Sequence, residues 1–350
     1  MFSMVFPRKL PRPARVLPLV FVLVLISCFS TSAQSPADSA APAKVIAPAK
    51  VIIDTDIGDD IDDVFAVDLS LISPEIQVIG ISAAWGDTAL RARMLDRLTC
   101  ELGRADIPIQ AGPANKTTTV FSQKAWASQG IERPHGDAVA FLLDQARQHP
   151  GEITLLALAP LTNIGAAIDR DPEGFRKLKR VVMMGGSIHR GYGDLGYTAP
   201  HGPDAEYNIA MAPAAAQKLF HSGVPIFMMP LDATQLKFDE TKRVLLTTVS
   251  TPMTDALQLL TAEWQRSTGQ SAPTMFDAVA AAYAMDPAAC PATPLHIEID
   301  DKGFTRATPG TPNANVCLDP HEDAFFTLLL PRLLNQKLAG KQVCTALGTP

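Results

Sequence analysis

The stretch Val51-Ile52-Ile53-Asp54-Thr55-Asp56-Ile57-Gly58-Asp59-Asp60-Ile61-Asp62-Asp63 sets six carboxylates within ten residues directly behind an apolar run. A Val/Ile run of this kind suits a strand buried on both faces. The residues that follow, "DDVFAVDLSLI", carry a helical period, so the acidic run is pinned between a strand and a helix. Asp54 and Asp56 alternate about Thr55, and in extended backbone their carboxylates can point the same way. Gly58 allows a sharp turn. Asp62 and Asp63 then open the helix, whose N-terminal dipole favours each negative charge by ~0.3–1 kcal/mol. No Lys or Arg stands within the run, so carboxylates converging there call for a cation. An all-oxygen donor set without His or Cys favours Ca²⁺ or Mg²⁺ over zinc. The plain alternative is a solvated acidic loop that caps a helix, and the strand before it and the helix after it weigh against that.

Along the rest of the chain, apolar runs alternate with helix-period segments. "IQVIGISAAW", "IPIQAG", "ITLLALA", "RVVMMGG" and "PIFMMPL" are separated by "ALRARMLDRLTCELG", "GDAVAFLLDQARQ", "LTNIGAAI" and "PAAAQKLFHSG". This alternation predicts an α/β fold with an open, mostly parallel central sheet and helices on both faces. The C-terminal third changes character. There "PLHIEID", "GFTRATPG" and "NANVCLD" read as short antiparallel strands before a last helix, giving a small antiparallel and helical extension. In open parallel sheets ligands sit beyond the carboxyl ends of the strands, where the acidic run falls.

The N-terminus reads as an export signal over residues 1–33. Arg8, Lys9, Arg12 and Arg15 precede an apolar run interrupted by Pro18 and closed by Thr31-Ser32-Ala33. The run is too short for a comfortable membrane span, so no integral span is expected in the mature chain. Leu25-Ile26-Ser27-Cys28 offers a second route, a lipoprotein anchored through Cys28. Residues 34–49 are Pro/Ala-rich linker, and residues 50–345 form the folded body. The expected location is periplasmic or extracellular. The chain carries 30 Lys+Arg against 36 Asp+Glu, a net charge of −6, which deepens to −10 without the four basic residues of the signal. So acidic a body argues against nucleic acid as partner. Export permits disulfides, and Cys290 with Cys317 is the favoured pair among Cys100, Cys290, Cys317 and Cys344 because the two flank a strand-rich segment. Buried free thiols are the alternative.

Two familiar acidic motifs do not fit. An EF-hand loop would need a bidentate Glu where Phe65 stands. The strand-Asp-x-Asp start of haloacid-dehalogenase-type phosphatases is followed here by Gly58, without a convincing later Lys and acidic pair. The body instead resembles the inosine/uridine-preferring nucleoside hydrolase family. The resemblance rests on Asp54, Asp56, Gly58, Asp62, Asp63 and Ala66, followed in order by "LALAPLTNIGAA", "VVMMGGS", "DAEYNIAMAP" and "FDAVAAAYAMDP". It implies Ca²⁺-dependent hydrolysis of the N-glycosidic bond of a ribonucleoside or related N-riboside. It also implies Ca²⁺ held by Asp56, Asp63, the Leu158 carbonyl and Asp277. Asp56 would deprotonate the attacking water. Asp62 and Asn208 would take the ribose hydroxyls, Glu206 and Met184 would complete the sugar pocket, and Asp54 and Asp87 are further substrate-binding candidates. A homo-oligomer is compatible with the sequence. The rival classes are a nucleoside- or sugar-binding protein without turnover and a Mg²⁺-dependent phosphohydrolase.

Three departures stand out. Asp59-Asp60-Ile61 separate Gly58 from Asp62, so Asp60 and Asp62 compete for the sugar. Asp87 stands where the family often has Asn. Phe276 precedes Asp277 where purine-active members keep His, which removes the expected leaving-group acid. His189, His201 and Tyr197, in the loop "HRGYGDLGYTAPHGP", are either solvated or placed to reach a leaving group. His135 reads as a helix-entry residue, and Trp85 as a core aromatic or a floor under the sugar. Tyr207, if its segment is extended, faces away from Glu206 and Asn208.

Overall fold

The computed structural model describes residues 47–193 and 201–336. The signal, most of the linker, Cys28, Tyr197, Cys344 and the end of the body at 345 lie outside these residues. The strands are β1 (Ala49–Thr55), β2 (Ile76–Ala83), β3 (Ile109–Ala111), β4 (Gly136–Asp137), β5 (Thr154–Ala157), β6 (Arg180–Met184), β7 (Ile226–Met229), β8 (Ala292–Ile299), β9 (Thr305–Thr308) and β10 (Ala314–Cys317). They form one sheet in the order β4-β3-β2-β1-β5-β6-β7-β10-β8-β9. Every pair from β4 to β7 is parallel. The chain runs outward from β1 to β4 and then returns to β5 on the other side of β1. The reversal leaves a crevice at the carboxyl ends of β1 and β5, and the acidic run opens into it.

Alternation along β1 sends Val51 and Ile53 into the core on one face and Ile52 into the core on the other. The first core is shared with the helices Asp62–Leu71, Thr88–Glu101, Pro252–Thr268, Phe276–Met285 and Glu322–Asn335. The second is shared with Ala138–Gln148, Thr162–Arg170 and Pro213–Phe220. Both faces are covered, as the unbroken apolar strands require. Ala278, Ala280, Ala281 and Ala282 are buried on the Phe276–Met285 helix, and their small side chains let it lie close against Asp62–Leu71.

The extension differs from expectation in one respect. β10 is antiparallel to β8 but parallel to β7, so it sews the β8–β9 hairpin onto the main sheet. Cys290 and Cys317 are joined, with Cα atoms 5.7 Å apart, which ties the turn Pro287–Ala289 to the end of β10. Cys100 is also disulfide-bonded. Among the described residues no helix is long and apolar enough to cross a membrane.

Candidate active site

The end of β1 is held by three sets of bonds. Asp54 is buried, and one of its oxygens accepts from Ser82 Oγ and from Asn163 Nδ2, the latter at 2.7 Å. Thr55 Oγ1 accepts from the Ile57 amide and donates to Asp63, so one hydroxyl both bends the loop and aims a carboxylate. Gly58 adopts φ +119°, and a Cβ there would lie 2.2 Å from the Phe121 ring. Arg91, only 1% exposed, reaches in from the Thr88–Glu101 helix. It donates to the carbonyls of Asp56, Ile57 and Trp85 and pairs with Asp59 at 2.7 Å. Arg91 is the cation that the run itself lacks, and it grips mainly the backbone of the turn.

Two helices then start at one point. Asp62 and Asp63 occupy the first turn of one, Asp277 the first turn of the other, and the Asp277 amide donates to Asp62 Oδ2 at 3.0 Å. Carboxylate oxygens of Asp62, Asp63 and Asp277 lie within 4.8 Å of one another, all three residues being buried. Asp56 faces the same cavity outside this trio, so Asp62 stands in the tightest group where the resemblance implied Asp56. Burial is the largest influence on these acids. It pushes Asp60 up to about 6 and Asp63 up to about 7, and holds Asp56, Asp62 and Asp277 well above the ordinary carboxylate range. Repulsion adds to it, from Asp63 on Asp56, from Asp60 on Asp62 and from Asp62 on Asp277. Hard oxygen donors that otherwise hold protons this tightly fit a divalent cation, which would neutralise them in place of the protons.

The other wall comes from the ends of β5 and β6. The Leu158 carbonyl, just past β5, accepts from Asn208 Nδ2 at 3.0 Å, and the same amide reaches the Met184 carbonyl at 3.3 Å. Glu206 caps the short helix Tyr207–Ala210, accepting from the amides of Asn208, Ile209 and Gly186. Burial still raises its carboxyl above the usual range despite these bonds. Asp56, Asp60, Asp62, Asp63, Asp277, Leu158, Met184, Glu206 and Asn208 all line one cavity of about 440 Å³. Both Asp60 and Asp62 reach it. Asp60 is held by the Ile61 amide and by Trp264, and Asp62 by Asp277.

Two expected substrate contacts do not reach this cavity. Asp54 points to the Ile52 side of the sheet, where Ser82 and Asn163 hold it, because it alternates with Ile53 along β1, while the helices of Asp62, Asp63 and Asp277 pack on the other face. Asp87 is exposed and caps the Thr88–Glu101 helix through the Leu90 amide. The loop histidines do not line it either. His189 is exposed, and His201 bonds to the Tyr192 carbonyl. His135 is paired with Asp96 at 2.7 Å, away from the cavity.

Tyr207 reverses its expectation. Its segment is helical, so the ring turns into the cavity mouth and its hydroxyl meets Trp85 Nε1 at 3.0 Å and Thr119 Oγ1 at 2.7 Å. Thr119, Val120, Tyr192, Trp264 and Phe276 complete the mouth. Tyr192 meets Phe276 edge-on, with ring centres 6.2 Å apart. Neither Thr119, in the hydroxyl-bearing "KTTTVF", nor Arg91 was anticipated from the sequence, and nothing in the local pattern marks Arg91. Among the described residues the cavity thus pairs a cation-competent acidic floor with a polar wall and an aromatic, histidine-free mouth.

Comparison with known proteins agrees with this geometry. An uncharacterized protein of Schizosaccharomyces pombe is 36% identical over 208 residues, 55% of this chain and 64% of that protein, so the chain spans less than two thirds of this relative. The pyrimidine-specific ribonucleoside hydrolase RihA of Citrobacter koseri is 29% identical over 78% of this chain and 94% of its own length. Among solved structures, a plant nucleoside hydrolase, PpNRh1, superimposes with a TM-score of 0.71 at 25% identity, covering 82% of this chain and 99% of that one. The profile of the inosine-uridine preferring nucleoside hydrolases matches residues 51–327, and the chain belongs to that family.

Proposed function

We propose that the protein is an exported, Ca²⁺-dependent N-ribohydrolase that releases a base and free ribose from a ribonucleoside or related N-riboside. The observation that carries this reading is the sharing of one cavity by the Asp62, Asp63, Asp277 trio and the polar wall of Glu206, Asn208 and the Leu158 carbonyl. The pyrimidine specificity in the name of the Citrobacter relative makes uridine the first substrate to try.

As the C1′–N bond lengthens, positive charge develops on the sugar, and the carboxylate-rich floor stabilises it. Asp63, Asp277, the Leu158 carbonyl and Asp56 or Asp62 would hold the ion, which when bound supplies the charge that makes water acidic enough to attack at neutral pH. Asp56 takes the proton of the attacking water. Asp62 and Asn208 fix ribose hydroxyls, and the three amides donated to Glu206 lock its carboxylate against the sugar's far end. Thr55 and Arg91 keep the acidic turn from rearranging as charge shifts.

The test is a parallel assay of reducing sugar and inorganic phosphate released from ribosides and phosphate esters, with Ca²⁺ and with Mg²⁺. Reducing sugar from uridine or inosine supports the proposal. Phosphate release alone, or tight nucleoside binding without turnover, would replace it with a phosphohydrolase or a binding protein.

A further inference from the structure

We propose that Tyr207, supported by Trp85 and Thr119, is the catalytic residue that donates to the departing base. The inference rests on the riboside-hydrolase reading and concerns the half of the reaction that the acidic floor cannot serve. When C1′–N breaks, its electron pair stays on the base, which then needs a proton or a strong hydrogen bond. Among the described residues no histidine lines the cavity, and Phe276 offers only an apolar ring.

Counting protons singles out the pair of Tyr207 and Thr119. The indole Nε1–H of Trp85 can only donate, so at 3.0 Å the Tyr207 oxygen is its acceptor. Tyr207 and Thr119 share one further bond, at 2.7 Å, in which either hydroxyl can donate. Three protons therefore serve two bonds, and one hydroxyl proton is left over on a pair whose two members both line the cavity mouth. Donation from the indole also polarises the phenol and makes it the better donor.

Among the described residues, the Tyr192 and Thr268 hydroxyls at the mouth are committed. Tyr192 Oη accepts from the Tyr207 amide at 3.0 Å and faces the Glu206 carboxylate at 3.5 Å. Thr268 Oγ1 donates to the Trp264 carbonyl at 2.9 Å. Ser267 and Gln270, like Thr119, are exposed, where water competes for them, whereas Tyr207 is half-buried.

Trp85 adds an independent sign. It adopts φ +61°, in the left-handed region that non-glycine residues rarely enter. Arg91, which braces the acidic turn, also holds the Trp85 carbonyl at 2.8 Å. Strain of this kind persists where the surroundings enforce it, commonly beside an active site. Here the enforced conformation points the indole at Tyr207, which makes Trp85 a positioning residue.

The step balances. Water oxygen bonds to C1′ and gives a proton to Asp56. The base keeps the C–N electron pair and takes the free hydroxyl proton, and the Tyr207 and Thr119 pair regains one from solvent at the open mouth.

The test compares kcat/KM for uridine with that for 4-nitrophenyl riboside, whose leaving group needs little help, in the wild type, Tyr207→Phe and Trp85→Phe. Removing a positioned proton donor lowers the rate on a demanding leaving group by ~10²-fold or more, so the uridine-to-nitrophenyl ratio should fall by about that factor in Tyr207→Phe. In Trp85→Phe the same ratio should fall by less, and this variant carries the test if Tyr207→Phe does not fold. Equal losses on both substrates, or an unaltered ratio, would overturn the role and leave Tyr207 a structural residue. A wild type inactive on both ribosides would instead overturn the hydrolase reading and this proposal with it.

Discussion

Asp63 and Asp68 lie on one helix, are both buried, and differ in company. Asp63 has Thr55 and the neighbouring acids of the cavity. Asp68 has no hydrogen-bond partner for either carboxylate oxygen among the described residues, and burial holds its carboxyl well above the usual range. Asp68→Leu should therefore stabilise the protein at neutral pH, because a buried polar group without a partner is replaced by an apolar one. Chemical denaturation at pH 7 checks this, and a loss of stability would show that Asp68 has an undetected partner. Asp277→Asn should do the opposite to metal binding. It lowers the charge of the trio, so the rise in Tm produced by Ca²⁺ in the wild type should shrink or vanish. At this scale the meeting of Asp56, Asp62, Asp63 and Asp277 at one cavity was legible because Asp56 directly follows the strand β1 and the other three lie in the first turns of helices. Asp87 was not, because an Asp before a helix serves equally well as a cap. Tyr207 was missed for a related reason. Glu206 caps a one-turn helix too short to leave a periodic pattern, so an extended reading sent the ring the wrong way.

Among the elements, the acidic turn is the most constrained. Gly58→Ala places a methyl 2.2 Å from Phe121 at a φ that alanine rarely adopts. The strap carrying Phe121 must then move, and Gln123, whose side chain and amide bond to the carbonyls of Asp60 and Gly58, moves with it. The expected outcome is a loss of ribosidase activity far larger than the loss of stability, measured by assay and thermal melt on one preparation. Wild-type activity in this variant would show that the turn tolerates rearrangement. The parallel strands β1, β2, β5, β6 and β7 were legible as unbroken apolar runs, because burial on both faces leaves no polar alternation. The parallel pairing of β10 with β7 was not, since Asn315↔Phe227 and Val316↔Met228 join distant segments and no local pattern encodes a partner. Arg91 was likewise hidden, its role depending on the packing of its helix beneath the turn.

For the molecule as a whole, the crowded acids set a pH dependence with a definite sign. Asp54 and Asp60 are raised from 3.8 to about 6 and Asp63 to about 7, each mainly by burial. A carboxyl that binds its proton more tightly when folded contributes stability below its unfolded value and loses it as pH rises toward its folded value. Each such group costs ~1.4 kcal/mol per pH unit across its window. In chelator, Tm should therefore fall as pH rises from about 4 to about 7, while Ca²⁺ should restore more stability at the upper end, where the carboxylates are free to bind it. A metal-free Tm that rises over this range would contradict the burial of these acids. The proposed role of this acidic floor is to hold a cation for riboside hydrolysis. It is tested most directly by following ribose release from uridine as Ca²⁺ is titrated into chelator-stripped protein. Negligible release in chelator and a saturable return with added Ca²⁺ are expected. Full release in excess chelator would contradict that role.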